Sequence, residues 1–379
     1  MTVRPTPVRR VSDTPTIGEI REHLQLAIEI EHATIPAYLT AMFSLHDGSN
    51  IDAEWIIRSV VTEEMLHMTL ASNVLNAIGG SPAIANPAFV PSYPMTLPHF
   101  SNSPIVETAC FSRKNIRSFI EIERRVDAEP DPPPVPGASD FAEGTYGSIG
   151  QFYDAIIDAL KQVCDTLGEP AVFTGSPAKQ ITPDQYYGSE GRLIEVTDLD
   201  SALEAMNEII EQGEGNPPKG AGEDEGYFAL QDFNKRYVAH LYRFYEIFEG
   251  RYYADDQRPS DAPDPVAEAV STDELPPPDL PTPRGRAIDV DWDAVWPIRP
   301  NVKIDDYPIG SEIRDRLEAF ARLYSDMLRT LHRAFNGEPQ LIAETVPTMY
   351  QLRYFAQDLC RIPSGDGVTT VGPAWEFVD

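Results

Sequence analysis

Glu64-Met65-Leu66-His67 is the stretch that most restricts what this chain can become, once it is read together with Glu31 one helix earlier. On a helix, a carboxylate and an imidazole three residues apart share one face. Helical bundles that hold two iron or manganese ions use this unit on two of their four helices and take a single Glu from each of the other two. Around Glu31 the residues Leu24, Ala27, Ile28, Ile35, Tyr38 and Met42 recur at helical spacing. Glu31 falls within that apolar stripe, where a carboxylate without a partner costs several kcal/mol. A cation is its strongest partner. Val60, Glu64, His67 and Ala71 form the matching stripe on the next helix. Glu63 also stands one turn from His67, at i and i+4, but the i, i+3 spacing of Glu64 is the one such sites use, so Glu64 is the favoured ligand.

The segments around these stripes predict an all-α chain. Thr16 with Glu19 forms a capping box that opens a helix running to about Leu45. Pro36 removes an amide and predicts a kink just after Glu31. A short turn over residues 46–50 makes the next helix antiparallel, with Asp52 as its cap and Gly79-Gly80 as its end. Residues 81–103 are proline-rich and extended, a short helix follows at 115–124, and 129–144 reads as a loop or lid. A third apolar helix is predicted over 148–167, then loop with a short strand at 193–196, then a helix capped by Asp200 or Ser201 and running into 211–215. A strongly aromatic helix is predicted to begin near Tyr227 and to carry Phe228, Phe233, Tyr237, His240, Leu241, Phe244 and Phe248. Two further helices are predicted at 310–335 and 339–359. The expected organisation is a metal-binding bundle over residues 1–255, a proline- and acid-rich linker or wrap over 256–300, and a helical extension packed on the bundle over 301–379.

Charge and cysteine usage narrow the function. A formal charge of −30 makes nucleic acid and anionic membrane improbable partners, because like charges repel at long range. Cys110, Cys164 and Cys360 are far apart in sequence and form no C-x-x-C pair, which argues against a disulfide framework, an iron–sulfur cluster or a thiolate zinc site. The basic N-terminal residues are not followed by an apolar run, and no stretch approaches the roughly 18 apolar residues of a membrane span. A reducing cytoplasm is the expected location.

The segments AIEIEHATIPAYLTAMFSL and EEMLHMTLASNVLNAIGGSP resemble a ferritin-like family of iminophenyl-pyruvate dimer synthase type, enzymes of bis-indole pathways such as violacein and rebeccamycin formation. The likeness continues through PSYPMTLP, YGSIGQFYDAI, VTDLDSALEAMNEIIEQGEG, AHLYRFYEI, GSEIRDRLEAFARLYSDML and VGPAWEF. It implies a ferritin-like four-helix bundle with a long crossover and a non-haem metal centre. It also implies oxidative chemistry, with dioxygen, on a small and possibly amino-acid-derived aromatic metabolite. The implied ions are iron, two of them, with manganese as the alternative. Carried over residue by residue, Glu31, Glu64 and His67 match the first half of the metal motif; Glu211 and Glu214 are candidates on the third helix, with Glu214 preferred, and His240 is the imidazole of the fourth. The sequence departs from the pattern at Tyr237, where a Glu is expected before His240, and at Gln151, where a related motif carries Glu. Both become candidates for weak ligation, for hydrogen bonding to bound oxygen or for facing the substrate. The departures also raise an alternative, a catalytically decayed metal-binding or scaffold protein. Association of further copies of the chain is left open.

Overall fold

The computed structural model describes residues 11–97, 100, 104–124, 146–186, 191–214, 230–231, 235–236, 238–254 and 280–379. The first helix, α1, spans Ile17–Phe43 and opens with the predicted capping box: the Glu19 amide donates to Thr16 Oγ1 at 3.2 Å and the Thr16 amide to the Glu19 carboxylate at 2.8 Å. It runs through Pro36 without ending. The antiparallel α2 spans Ile51–Ala77. Asp52 does not cap it. Asn50, left-handed at φ 49°, takes the N-cap position and uses its side-chain amide to grip Asp291, donating to the carbonyl at 3.0 Å and accepting from the amide at 2.8 Å. Asp52, inside the first turn, pairs with Arg286 at 3.0 Å. Gly79, at φ 76°, turns the chain out of α2 as expected.

A small antiparallel pair follows, β1 (Met95–Thr96) and β2 (Ile105–Val106). Next come α3 (Arg113–Ile122) and α4 (Ile149–Leu167), capped by Ser112 and Ser148, then the short α5 (Glu169–Val172) and α6 (Leu199–Glu214). Residues 193–196 form no strand. Their backbone is bound by side chains instead: Asn73 donates to the Ile194 carbonyl at 3.0 Å, and Gln180 takes both the Val196 carbonyl (2.6 Å) and amide (2.8 Å). The aromatic stretch is not one helix from Tyr227. A short antiparallel hairpin, β3 (Leu230–Gln231) with β4 (Lys235–Arg236), precedes α7, which spans His240–Glu249 and so begins at the histidine. Phe228, Phe233 and Tyr237 lie outside the described residues.

α3 and α4 both run antiparallel to α1 and cover successive lengths of it. The Phe111 amide meets Ser44 Oγ, Phe119 packs edge-on to Tyr38, Tyr153 meets Glu31, and Gln162 reaches Asp13. α6 and α7 share α2 in the same way. Gln212 on α6 reaches His67, while Arg243 on α7 reaches Ser59 and Tyr252 beyond it reaches Asp52. The bundle therefore has four positions, but the third and fourth are each filled by two helices end to end. Both breaks fall at the level of Glu31, Glu64 and His67.

α8 (Glu312–Ala334) and α9 (Ile342–Cys360) form a hairpin that covers the outer face of α1 and α2. Trp375 anchors the C-terminal segment there: its ring meets Phe320 and Tyr324 edge-on, and Nε1 donates to Thr40 Oγ1 at 2.8 Å. Thr40 in turn donates to the Pro36 carbonyl at 2.6 Å. Near the end of α2 the chain passes so close that a Cβ on Gly175 would lie 1.7 Å from the Asn76 carbonyl oxygen, so only glycine fits there. Among the described residues no helix is long and apolar enough to cross a membrane. Thr40→Val keeps the shape at this joint but leaves the buried indole N–H without its acceptor, so it is expected to cost about 1–3 kcal/mol in chemical denaturation.

Candidate metal centre

Five side chains meet where the helices break. Glu31 comes from α1, Glu64 and His67 from α2, Glu123 from the residue just past α3, and His240 from the first position of α7. None is more than 3% exposed. His67 Nδ1 stands 3.3 Å from Glu31 and 3.9 Å from Glu64. His240 Nδ1 stands 3.0 Å from Glu64 and 3.6 Å from Glu123. The result is two triads, Glu31–Glu64–His67 and Glu64–Glu123–His240, each with ligand atoms within 4.8 Å of one another and with Glu64 in common.

A second layer of partners aims these groups. Gln212 Oε1 lies 2.9 Å from His67 Nε2, and the Gln212 amide nitrogen donates to Glu208 at 3.0 Å. With the amide oxygen facing the ring, His67 donates from Nε2, which leaves Nδ1 facing Glu31 and Glu64. Glu63 does the same for His240, accepting from Nε2 at 2.9 Å. Tyr153 donates to Glu31 at 2.7 Å and Tyr38 to Glu123 at 2.5 Å, so each outer carboxylate has one oxygen held by a phenol. Burial first, and the neighbouring carboxylates next, hold both phenols well above their usual range, which keeps them protonated as donors.

Four buried carboxylates, Glu31, Glu63, Glu64 and Glu123, share this region. Arg243 neutralises Glu63, with Nη2 at 2.9 and 3.0 Å from its two oxygens, and is itself fixed by Ser59 and the Val238 carbonyl. Three carboxylates remain, facing two imidazoles. Burial, then the charge of Glu123, pushes Glu64 up to about 8. Burial also opposes charge on Glu31, but the hydrogen bond and charge of His67 outweigh it and hold that carboxyl below its usual range. The His240 ring is fully buried, and its Nδ1 makes no aligned hydrogen bond despite the carboxylates around it. An orphaned imidazole nitrogen facing two carboxylates, in a donor set of oxygen and nitrogen without sulfur, fits a metal ion.

Glu31, Glu64, His67 and His240 are thus brought together as the sequence predicts. Glu123 is not predicted: it lies on a short helix with no His at ligand spacing, and its only sequence signal is Phe119 one turn earlier on the buried face. Glu211 is not in the cluster. It is half-buried on α6, burial and the charge of Glu208 raise its pKa, and its neighbour Gln212 is the residue that turns to His67. The cause is the break in the bundle: α6 and α7 share the fourth position, so the third-position carboxylate comes from α3. The Glu214 side chain and Tyr237 lie outside the described residues. Gln151 accepts from the Gly147 amide at 2.9 Å in the first turn of α4, and Tyr153 is the residue of that helix that meets Glu31. His32 is buried against Phe89 and Tyr324 on another face of α1, and burial pushes its pKa down to about 3.

Arg243→Met strips Glu63 of its guanidinium and leaves a buried carboxylate with His240 alone. Unfolding in urea is expected to show a loss of roughly 3–5 kcal/mol, much of it restored by adding Glu63→Gln.

A family model described as Ferritin-like matches residues 24–249. Dichlorochromopyrrolate synthase of Lentzea aerocolonigenes is 25% identical over 351 residues, covering 84% of this chain and 29% of that protein. The chain therefore spans under a third of the length of this curated relative. A ferritin-like protein from Caulobacter vibrioides, known by crystal structure, superposes with a TM-score of 0.57 at 20% identity, over 98% of this chain and 100% of that one. That likeness is one of fold. With the family match extending from the second turn of the first bundle helix to the end of α7, the chain belongs to the ferritin-like family.

Proposed function

We propose that this chain is a non-haem iron oxidoreductase that holds two ions and uses dioxygen to oxidise a small, amino-acid-derived aromatic metabolite in secondary metabolism. The observation that carries this reading is the pair of buried triads sharing Glu64, one of them with an orphaned His240 Nδ1. Carboxylate and imidazole donors without thiolate suit iron, with manganese as the alternative. The substrate class leans on the relative, a synthase of dichlorochromopyrrolate. When bound, reduced iron supplies the electrons and the Lewis acidity for dioxygen chemistry. The chain's own residues do the rest. Glu31 with His67, and Glu123 with His240, would hold the two positions, and Glu64 would serve both. Tyr153 and Tyr38 fix the free oxygens of the outer carboxylates and keep a proton at each Oη beside the site. Arg243 keeps Glu63 occupied, so that Glu63 orients His240 instead of competing for the ion. The decayed-scaffold alternative rests on Tyr237 standing where a carboxylate is expected; against it stands the convergence of three buried carboxylates, Glu31, Glu64 and Glu123, on two imidazoles.

Anaerobic titration with ferrous iron, ion counting by mass spectrometry and then oxygen-uptake measurement test the reading. The expected result is two ions per chain and uptake on exposure to air. Glu64→Gln should lower both readings, Glu123→Gln should spare only the Glu31–Glu64–His67 position, and Glu211→Gln should change neither. Gln212→Leu should weaken iron binding about 10–100-fold, because His67 loses the partner that fixes its ring. Failure to hold any ion under loading, or full turnover by metal-free protein, would sink the assignment.

A further inference from the structure

A cavity of about 300 Å³ lies on the other side of the α1–α2 layer from the carboxylate cluster, beneath α8 and α9. That size sits at the lower end of small-molecule sites, which run from about 300 to 1,000 Å³. Met42, Met65, Met68, Met327 and Met349 line it, five of the eight methionines in the chain. Unbranched thioethers give an apolar wall that adapts to irregular shapes. One polar group is built into this wall. His32 is 3% exposed, its Nε2 is 2.5 Å from Tyr324 Oη, and its Nδ1 has no hydrogen-bond partner.

The rim carries two guanidinium groups. Arg353 is tied to Glu54. Arg58 is exposed, and among the described residues no carboxylate lies within ion-pair reach of it. In a chain of net charge −30, an uncommitted Arg beside an apolar cavity is complementary to an anionic head group on an apolar body. We propose that this cavity binds a small aromatic monocarboxylate, its ring between the methionines and its carboxylate on Arg58. The site is separate from the metal centre and does not rest on the iron reading. Its residues come from the outer faces of α1 and α2, whereas Glu31, Glu64 and His67 face α3, α4, α6 and α7.

Calorimetric titration of the whole chain with naphthylacetate, and with uncharged naphthylethanol, tests this. Both should bind. Arg58→Ala, an exposed position that leaves the fold alone, should weaken naphthylacetate about three- to fivefold and leave naphthylethanol unchanged. Val346→Trp, which fills the cavity from α9, should abolish binding of both. Glu64→Gln should bind both as the parent does. Absence of binding at millimolar ligand, an Arg58→Ala effect that is nil or equal for the two probes, or loss of binding in Glu64→Gln with unchanged circular dichroism would each overturn the proposal.

Discussion

The fold is organised around buried negative charge. Glu31, Glu64 and Glu123 converge as buried groups, and Arg243, the guanidinium that reaches the region among the described residues, is already paired with Glu63. Isolated carboxylates are not tolerated in such a place; they take up protons, find a partner or bind a cation. The surrounding phenols and amides answer only part of that demand. Tyr153 and Tyr38 each satisfy one oxygen of an outer carboxylate and leave the other facing an imidazole. Both imidazoles are turned with Nδ1 inward, towards the carboxylates, an arrangement that could hold a metal ion.

The break in the third and fourth bundle positions explains how such a pocket is supplied. A continuous helix offers the site one side chain per turn, whereas a helix end can bring its terminal residue in at a free angle. Glu123 enters as the residue after α3 and His240 as the first residue of α7.

How far the site could be read from the residues depends on where each ligand draws its partner. Glu31, Glu64 and His67 sit on long helices whose apolar period announces which face is inward, so their placement was legible. Glu123 takes its meaning from Tyr38 and His240, which are distant in sequence, and nothing local marks it. The aromatic residues before His240 have helix-like spacing, but Phe and Tyr suit helix and strand alike, so that spacing did not reveal the strand pair at 230–231 and 235–236. The burial of His32 has a different origin. The apolar stripe through Glu31 marks one inward face of α1, but α8, α9 and Trp375 cover a second, so nearly every side of the helix is inside. Glu211, on α6, carries the charge expected of a ligand but lies outside the cluster, and the neutral Gln212 beside it is the residue that reaches His67.

That exchange makes the two halves of the centre chemically unequal. His240 is oriented by a carboxylate and His67 by an amide. A carboxylate accepting from Nε2–H raises the basicity of the imidazole more than an amide does, so Nδ1 of His240 is the stronger donor of the two. Arg243 tempers this by drawing charge from Glu63. On the other side, Gln212 passes its second hydrogen bond to Glu208, and Glu208 to the exposed Arg192, a line of contacts leading from His67 to solvent. The His240 half is sealed, with its ring fully buried and its orienting carboxylate 1% exposed. Two ligand sets that share Glu64 therefore differ in donor strength and in connection to water, and an ion at one would not be equivalent to an ion at the other.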